Sequence, residues 1–344
     1  MIILGIESSC DETALALVAD GRNVISSLVT SQIDLHARWG GVIPEIAARE
    51  HLVALSTMYQ EILKTSGLND PSAFDAIAVT QGPGLIGCLL VGASFAKGLA
   101  QASGKPIIPV NHVHAHVHGA LLGVDASYDE IFPTLALVVS GGHTNLYYMP
   151  SPTSFELLAH TIDDACGESF DKVGKMLGLP YPGGPHVEAL AKNGTPSKVS
   201  LPRMIERRSQ MAFSYSGLKT AVSRSIKEIS PQGHKPEDVA AAFQEEALGQ
   251  IVRKLQIAQK ARPQVRSIVV AGGVAANNRF KDMIGLSIDI PVWFPPLKYC
   301  SDNGAMIAAM GYEIWKKEKN ESTLGWDVFS RYPFEKFSVP INLT

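Results

Sequence analysis

Two separated stretches of this chain carry the same pattern of three β-type runs, and that duplication restricts the fold more than any other feature. In the first stretch, residues 2–7 (IILGIE), 14–19 (ALALVA) and 23–29 (NVISSLV) are rich in the aliphatic side chains that suit a pleated, buried surface. The polar turn at 8–12 (SSCDE) and the Asp20-Gly21 pair separate them, so they read as a meander. Residues 134–139 (TLALVV), 144–149 (TNLYYM) and 155–160 (FELLAH) repeat the arrangement, with the small-residue turn Ser140-Gly141-Gly142-His143 between the first two runs. After each meander, strand and helix patterns alternate. The first half shows a strand at 76–80, a helix over 85–103 and a strand at 107–110; the second shows a strand at 268–271 and a helix near Arg279. Antiparallel meanders extended by helix-linked strands give mixed sheets with helices packed on them. The expectation is a duplicated, two-lobe α/β fold holding its ligand in an interlobe cleft.

The length of 344 residues accommodates two lobes, each with its own core. With 46% hydrophobic and 18% charged residues, the chain is too apolar for a disordered protein. A formal charge of −3 provides no global basic footprint, so any nucleic acid must meet a local patch or share its contacts with partner proteins. Cys10, Cys88, Cys166 and Cys300 are scattered without a CxxC pair, which argues against a disulfide framework and fits a reducing cytosol. The start MIILGIESSC lacks the basic flank of a signal peptide. The uncharged run over 79–96 is interrupted by Gln81, Gly82, Pro83, Gly84 and Gly87, as in a core helix entered through a turn, so no membrane span is expected.

The expected division is an N-terminal lobe at 1–108, a C-terminal lobe at 109–325 and a tail at 326–344. The C-terminal lobe carries a helical insertion over about 160–262, in which Val239, Phe243, Ala247, Ile251 and Leu255 keep helical spacing. Lys198, Arg203, Arg207, Arg208, Lys219, Arg224 and Lys227 cluster there, as either a phosphate-receiving patch or a solvated face.

Several motifs carry chemistry. The turns GIESSCDET at 5–13 and VVSGGHTNL at 138–146 occupy the same place in both repeats; their small residues let backbone N–H groups approach an anion closely. The strand IVVA at 268–271 ends in Gly272-Gly273 before Asn277, the kind of strand end beyond which open α/β sheets bind ligands. In NHVHAHVHG at 111–119, helical spacing pairs His112 with His116 and His114 with His118, and either pair suits a metal. The segment lacks the glutamate of HExxH, so a zincin peptidase would be without its general base. KYCSDNGAM at 298–306 sets Asp302 before an apparent helix start, where it is either a cap or a third ligand. Over 161–191, an acidic helix bearing Asp163, Asp164, Glu168 and Asp171 leads into the loop Tyr181-Pro182-Gly183-Gly184-Pro185 and Glu188.

Together GIESSCDET, HARWGGVIPEIAAREH at 36–51, TQGPGLIGCLLVG at 80–92, NHxxxH, VVSGGHT, FDKxxKxLGLPYPGGP, FSxSGLKTA at 213–221, AGGVAAN and YCSDNGAM resemble, in order and over almost the whole chain, the TsaD family. These are the tRNA N6-adenosine threonylcarbamoyltransferases, once misnamed O-sialoglycoprotein endopeptidases. The resemblance implies the duplicated actin-like (ASKHA, ribonuclease H-like) fold and a transferase that moves threonylcarbamoyl from its adenylate to a tRNA adenosine. It also implies His112, His116 and Asp302 as ligands of one Fe²⁺ or Zn²⁺, with His114 and His118 as extras. The adenylate, or ATP, ADP or AMP, would meet Val138, Val139, Ser140, Gly141, Gly142, His143, Asp171, Gly184, Glu188, Gly272, Gly273 and Asn277, while Asp11 and Glu12 would be the catalytic acids. Asn278 precedes Arg279 where many relatives run directly from Asn to Arg. The implied partners are tRNA, a TsaB-like paralogue on the N-terminal lobe and a TsaE-like ATPase, in the cytoplasm. The rivals are a small-molecule kinase of the same superfold, which has no use for imidazole ligands, and a non-catalytic nucleotide-dependent scaffold.

Overall fold

The computed structural model describes residues 1–39, 41–67, 73–205, 210–230, 233–318 and 324–331, so Arg207 and Arg208 of the basic cluster lie outside the described residues. Among the described residues the chain forms two compact units, one of Met1–Ala126 with those between Phe294 and Arg331, the other of Ser127–Trp293.

The first unit opens with β1 (Ile2–Glu7), β2 (Glu12–Ala19) and β3 (Asn23–Ser31), then α1 (Ile33–Ala37), α2 (Pro44–Thr65), β4 (Ala76–Gly82), α3 (Ile86–Ser103), β5 (Ile107–Asn111) and α4 (His112–Ala120). Its sheet runs β3-β2-β1-β4-β5. The meander pairs antiparallel, and β4 and β5 add parallel. β1 and β2 are buried almost continuously rather than alternately, as expected when both sheet faces are covered. Leu4, Ile6, Leu15, Leu17, Leu55, Ile62, Ile77 and Val79 share one core on the face covered by α2 and α3. By length and composition α3 is apolar enough to cross a membrane. Here it buries Cys88, Leu89, Ala93, Ala96 and Ala100.

The second unit comprises α5 (Tyr128–Ile131), β6 (Thr134–Val139), β7 (Thr144–Ser151), β8 (Ser154–Thr161), α6 (Cys166–Met176), α7 (Gly183–Ala191), β9 (Ala212–Phe213), α8 (Ser216–Lys227), α9 (Pro236–Ala261), β10 (Ser267–Ala271), α10 (Asn278–Gly285) and β11 (Val292–Trp293). Its sheet order is β11-β10-β6-β7-β8-β9. Read from β8 to β11, it reproduces the first sheet strand for strand, antiparallel meander and parallel extension alike, with β9 added at the edge by the insertion. In α9, Val239, Phe243, Ala247, Ile251 and Leu255 are all fully buried, as their spacing requires.

Two features differ from the sequence reading. The expected boundary at 108/109 falls inside β5, and the division lies instead after Ala126. Moreover α11 (Gly304–Glu318), late in the chain, belongs to the first unit, packing on β1, β2 and α4. Small residues allow this: a Cβ on Gly5 would lie 2.0 Å from the Gly304 carbonyl oxygen, and one on Gly119 would lie 3.0 Å from the Met306 Cβ. A helix buried on nearly every side from Gly304 to Gly311 needs such close partners. Chain order does not reveal which sheet supplies them. The start of the expected tail is likewise packed, with Lys97 donating to the Trp326 carbonyl at 2.6 Å. Residues 332–344 lie outside the described residues.

Candidate functional site

The histidine motif is organised by its first residue. Asn111 Oδ1 accepts from the His114 N–H at 3.0 Å, which caps α4 and sets His112 and His116 one turn apart on the same face. At the start of α11 the cap is Asn303, whose Oδ1 accepts from the Met306 N–H at 2.9 Å. The neighbouring Asp302 is turned to the histidines: its Oδ1 is 3.2 Å from His116 Nε2 and 3.6 Å from His112 Nε2. One donor atom from each of the three lies within 4.8 Å of the others. Of the two histidine pairs, His112 and His116 are the ones that meet this carboxylate.

These residues fit a divalent cation. His116 is buried, and among the described residues neither ring nitrogen makes a hydrogen bond, Nε2 facing the Asp302 carboxylate at 3.2 Å. An unmatched buried polar group of that kind costs about 1–3 kcal/mol, and coordination through Nε2 would satisfy it. Two imidazoles and a carboxylate suit iron(II) or zinc and leave coordination positions open.

The electrostatics point the same way. Burial alone would depress the His112 imidazolium, but the Asp302 and Glu7 carboxylates overcome it and push the group up to about 9. Glu7 is held below the ordinary carboxylate range: burial opposes ionisation, and the facing His112 outweighs it. Burial, with Asp302 and Asp11 nearby, pushes Glu12 up to about 10, so it carries its proton at neutral pH. Burial and the same carboxylates also raise the Cys10 thiol. A cation beside Asp302 would relieve this concentration of negative charge.

The turn carrying Asp11 and Glu12 is fixed from α2. His51 Nε2 lies 2.9 Å from the Cys10 carbonyl oxygen, and its Nδ1 lies 2.7 Å from Thr13 Oγ1. A carbonyl only accepts, so Nε2 carries the proton and Nδ1 accepts from the threonine.

The remaining candidate residues lie in the second unit, some at the carboxyl ends of parallel strands β6 and β10 and others on α6 and α7. Val138 and Val139 end β6 in the core. The Ser140 N–H donates to the His143 carbonyl at 2.8 Å, closing a hairpin in which Gly141 and Gly142 have open space where a Cβ would stand. Gly272, with φ of +89°, sits against this turn; a Cβ there would be 2.4 Å from the Val139 carbonyl oxygen. Gly273 and Gly184 also face open space. Asn277 caps α10 through Phe280 N–H (2.9 Å) and donates to Gln244 (3.0 Å). Glu188 accepts twice from Asn278, both at 3.0 Å.

Asp171 accepts from the Gly183 N–H at 2.7 Å and so starts α7 within what reads in sequence as a glycine loop. Asp163 and Asp164 precede α6 instead of riding on it. Asp163 caps α8, accepting from Ser214 and Ser216 hydroxyls at 2.5 and 2.7 Å. Asp164 pairs with Lys172 and Lys219, which removes Lys219 from the set of cations open to phosphate. Glu7 is the residue that the motifs did not single out. For Glu7 the available signal was a glutamate ending an otherwise apolar strand.

Comparison with known proteins bears on this arrangement. The family profile described as "TsaD: tRNA N6-adenosine threonylcarbamoyltransferase" matches residues 23–309. Proteins of that name are similar throughout: one from Carboxydothermus hydrogenoformans is 48% identical over 322 residues, 92% of this chain and 93% of its own length. Another, from Anaeromyxobacter dehalogenans, is 46% identical over 318 residues, covering 90% and 92%. Among solved structures, full-length HypF in a phosphate- and nucleotide-bound form matches with a TM-score of 0.61 at 14% identity, over 94% of this chain and 47% of HypF. Component A of (R)-2-hydroxyglutaryl-CoA dehydratase from Acidaminococcus fermentans matches with 0.52 at 15% identity, over 91% and 98%. At such identities these two speak for the actin-like fold alone.

Proposed function

The chain belongs to the TsaD family of tRNA N6-adenosine threonylcarbamoyltransferases, and from that premise we propose that it transfers threonylcarbamoyl from threonylcarbamoyl-AMP to N6 of the adenosine 3′ to the anticodon, releasing AMP. The acceptors are tRNAs reading codons that begin with A. The observation that carries the reading is the convergence of His112, His116 and Asp302, with the His116 ring otherwise unmatched. A magnesium-dependent kinase of the same fold has no use for such imidazoles.

In this proposal His112, His116 and Asp302 hold one Fe²⁺ or Zn²⁺, which when bound supplies Lewis-acid polarisation of the acyl or phosphate oxygen. The backbone of 138–142, with His143, Gly272 and Gly273, receives the adenylate, and open space at Gly141, Gly142 and Gly273 admits phosphate and ribose. Asp171, Gly184, Glu188 and Asn277 shape its surroundings. N6 forms a bond to the carbamoyl carbon as the bond from that carbon to the phosphate oxygen breaks, and AMP leaves with the electron pair. Asp11 takes the proton lost from N6, with Glu12 beside it in the turn. Because the exocyclic amine is a weak nucleophile, positioning supplies much of the rate. The test is transfer of labelled threonine from synthetic threonylcarbamoyl-AMP to tRNA. Asp11→Asn should lower the rate by about 10²–10⁴-fold with adenylate binding retained. Unchanged turnover in that variant would remove Asp11 from the chemistry, and no label on any tRNA would remove the reading.

The partners follow from the same premise: a TsaB-like paralogue, a TsaE-like ATPase and tRNA, in the cytosol. The face formed by α2 and α3 supports the first. Leu52 and Val53 are 68% and 71% exposed, and Ile86 and Leu90 are about half exposed, around the crossing where Gly87 approaches Ala48. Exposed aliphatic side chains so placed mark an interface. Joint replacement Leu52→Glu and Leu90→Glu should abolish co-purification with the paralogue while the chain stays folded. Retained pairing would move the interface elsewhere.

A further inference from the structure

We propose that Glu7 is a positioning residue that orients the metal ligand His112, completes the charge of the centre and ties it to the 8–11 turn. The inference rests on the reading of His112, His116 and Asp302 as metal ligands. Glu7 ends a strand buried on both faces, and its carboxylate is wholly enclosed. Enclosing a carboxylate is costly unless each oxygen is matched, so its partners reveal why it is kept. Oε2 lies 2.9 Å from His112 Nδ1 and accepts from Thr80 Oγ1 at 2.6 Å, while Oε1 accepts from the Ser9 N–H at 2.5 Å.

An ionised carboxylate only accepts, so the facing Nδ1 must carry a proton. The lone pair of His112 is then left to Nε2, the nitrogen directed at Asp302. Carboxylates placed behind metal-bound imidazoles act in this way, fixing the tautomer and raising ligand basicity. Charge follows too: two neutral imidazoles and Asp302 contribute one negative charge, and Glu7 adds the second needed to balance a dication. Ser9 is held by Glu7 through its backbone, and its hydroxyl lies 3.2 Å from the same Nδ1. One carboxylate therefore couples the ligand to the turn that carries Asp11.

The experiment is a competition titration of the full chain with Zn²⁺ alone against a chromophoric chelator. It compares wild type, Glu7→Gln and Thr80→Val. Glu7→Gln should weaken zinc binding 10–100-fold. Thr80→Val removes a neighbouring hydrogen bond from the same carboxylate but leaves the imidazole contact, and should change affinity less than about threefold. In zinc-loaded wild type, nitrogen NMR should show His112 with a protonated Nδ1 and a metal-bound Nε2. Wild-type affinity in Glu7→Gln, equal losses in both variants, or coordination through Nδ1 would each overturn the assignment, the second because it reduces Glu7 to a packing element. Should wild type bind no zinc, the reading of the ligand set itself fails and this inference with it.

Discussion

Replacing His116 with alanine is expected to strip the metal from the protein, with a loss of affinity beyond the roughly 100-fold that outer partners of a site can cost, and to abolish threonylcarbamoyl transfer. The fold should survive. Among the described residues the His116 ring makes no hydrogen bond, so the variant gives up the contact with Asp302 and leaves a small cavity. The check is metal content and labelled-threonine transfer measured on the same preparation, with a thermal unfolding curve to show the chain intact. Transfer at the wild-type rate in a metal-free variant would separate the ion from the chemistry. The proton balance offers a second readout. In the metal-free chain His112 keeps its proton up to about 9, held by Asp302 and Glu7 against burial. A ligand must be deprotonated at the nitrogen it offers, so binding at neutral pH expels about one proton from His112. Affinity should therefore rise with pH until about 9 and fall in acid, and calorimetry in buffers of different ionisation enthalpy measures the released proton.

Substitution of Gly304 by alanine is expected to be among the most damaging single changes that leave every charged group in place. The added Cβ would stand 2.6 Å from the Ala16 nitrogen and the Leu15 carbonyl carbon. Both are backbone atoms of a central strand, so no rotamer change relieves the clash and α11 must move off β1 and β2. Overpacking costs about 1–3 kcal/mol where side chains absorb it, and a backbone obstruction belongs at the upper end. That is a large share of the roughly 5–15 kcal/mol that holds a typical domain folded. Because Asp302 lies two residues before Gly304, next to the Asn303 cap of α11, metal affinity should fall along with stability, and this coupling is the distinctive outcome. Gly98→Ala is the contrast: Gly98 is exposed on α3 with nothing near its Cβ position, so alanine should be neutral or add about 0.5–1 kcal/mol. Denaturant titrations of both variants, paired with zinc titrations, decide the matter. A Gly304→Ala protein with wild-type stability and affinity would mean that α11 is not wedged where it lies.

Much of the fold was legible because its signals are local. Strand runs, the polar turns between them and the helical spacing of Val239 through Leu255 each depend on residues a few positions apart, and all three recur in the structure. Boundaries were less legible where a distant partner sets them. β2 begins at Glu12, within the predicted turn, because Glu12 pairs with Ser31 on β3. α7 begins inside the proline-glycine run because Asp171, on the preceding helix, accepts from the Gly183 N–H.

The candidate site divides in the same way. Spacing alone placed two histidine pairs on one helix and left them equivalent, because periodicity describes a helix without saying what packs on each face. The sequence by itself determined the duplicated meanders, the strand and helix alternation and the residue types able to hold a cation. Only the tertiary structure decided that α11 returns to the first sheet, bringing Asp302 to His112 and His116, and that Glu7 stands behind His112. The physical reason is that a helix buried on nearly every side is placed by backbone close approaches such as Gly5 to Gly304, which depend on pairs of residues far apart in the chain and leave no periodic mark in it.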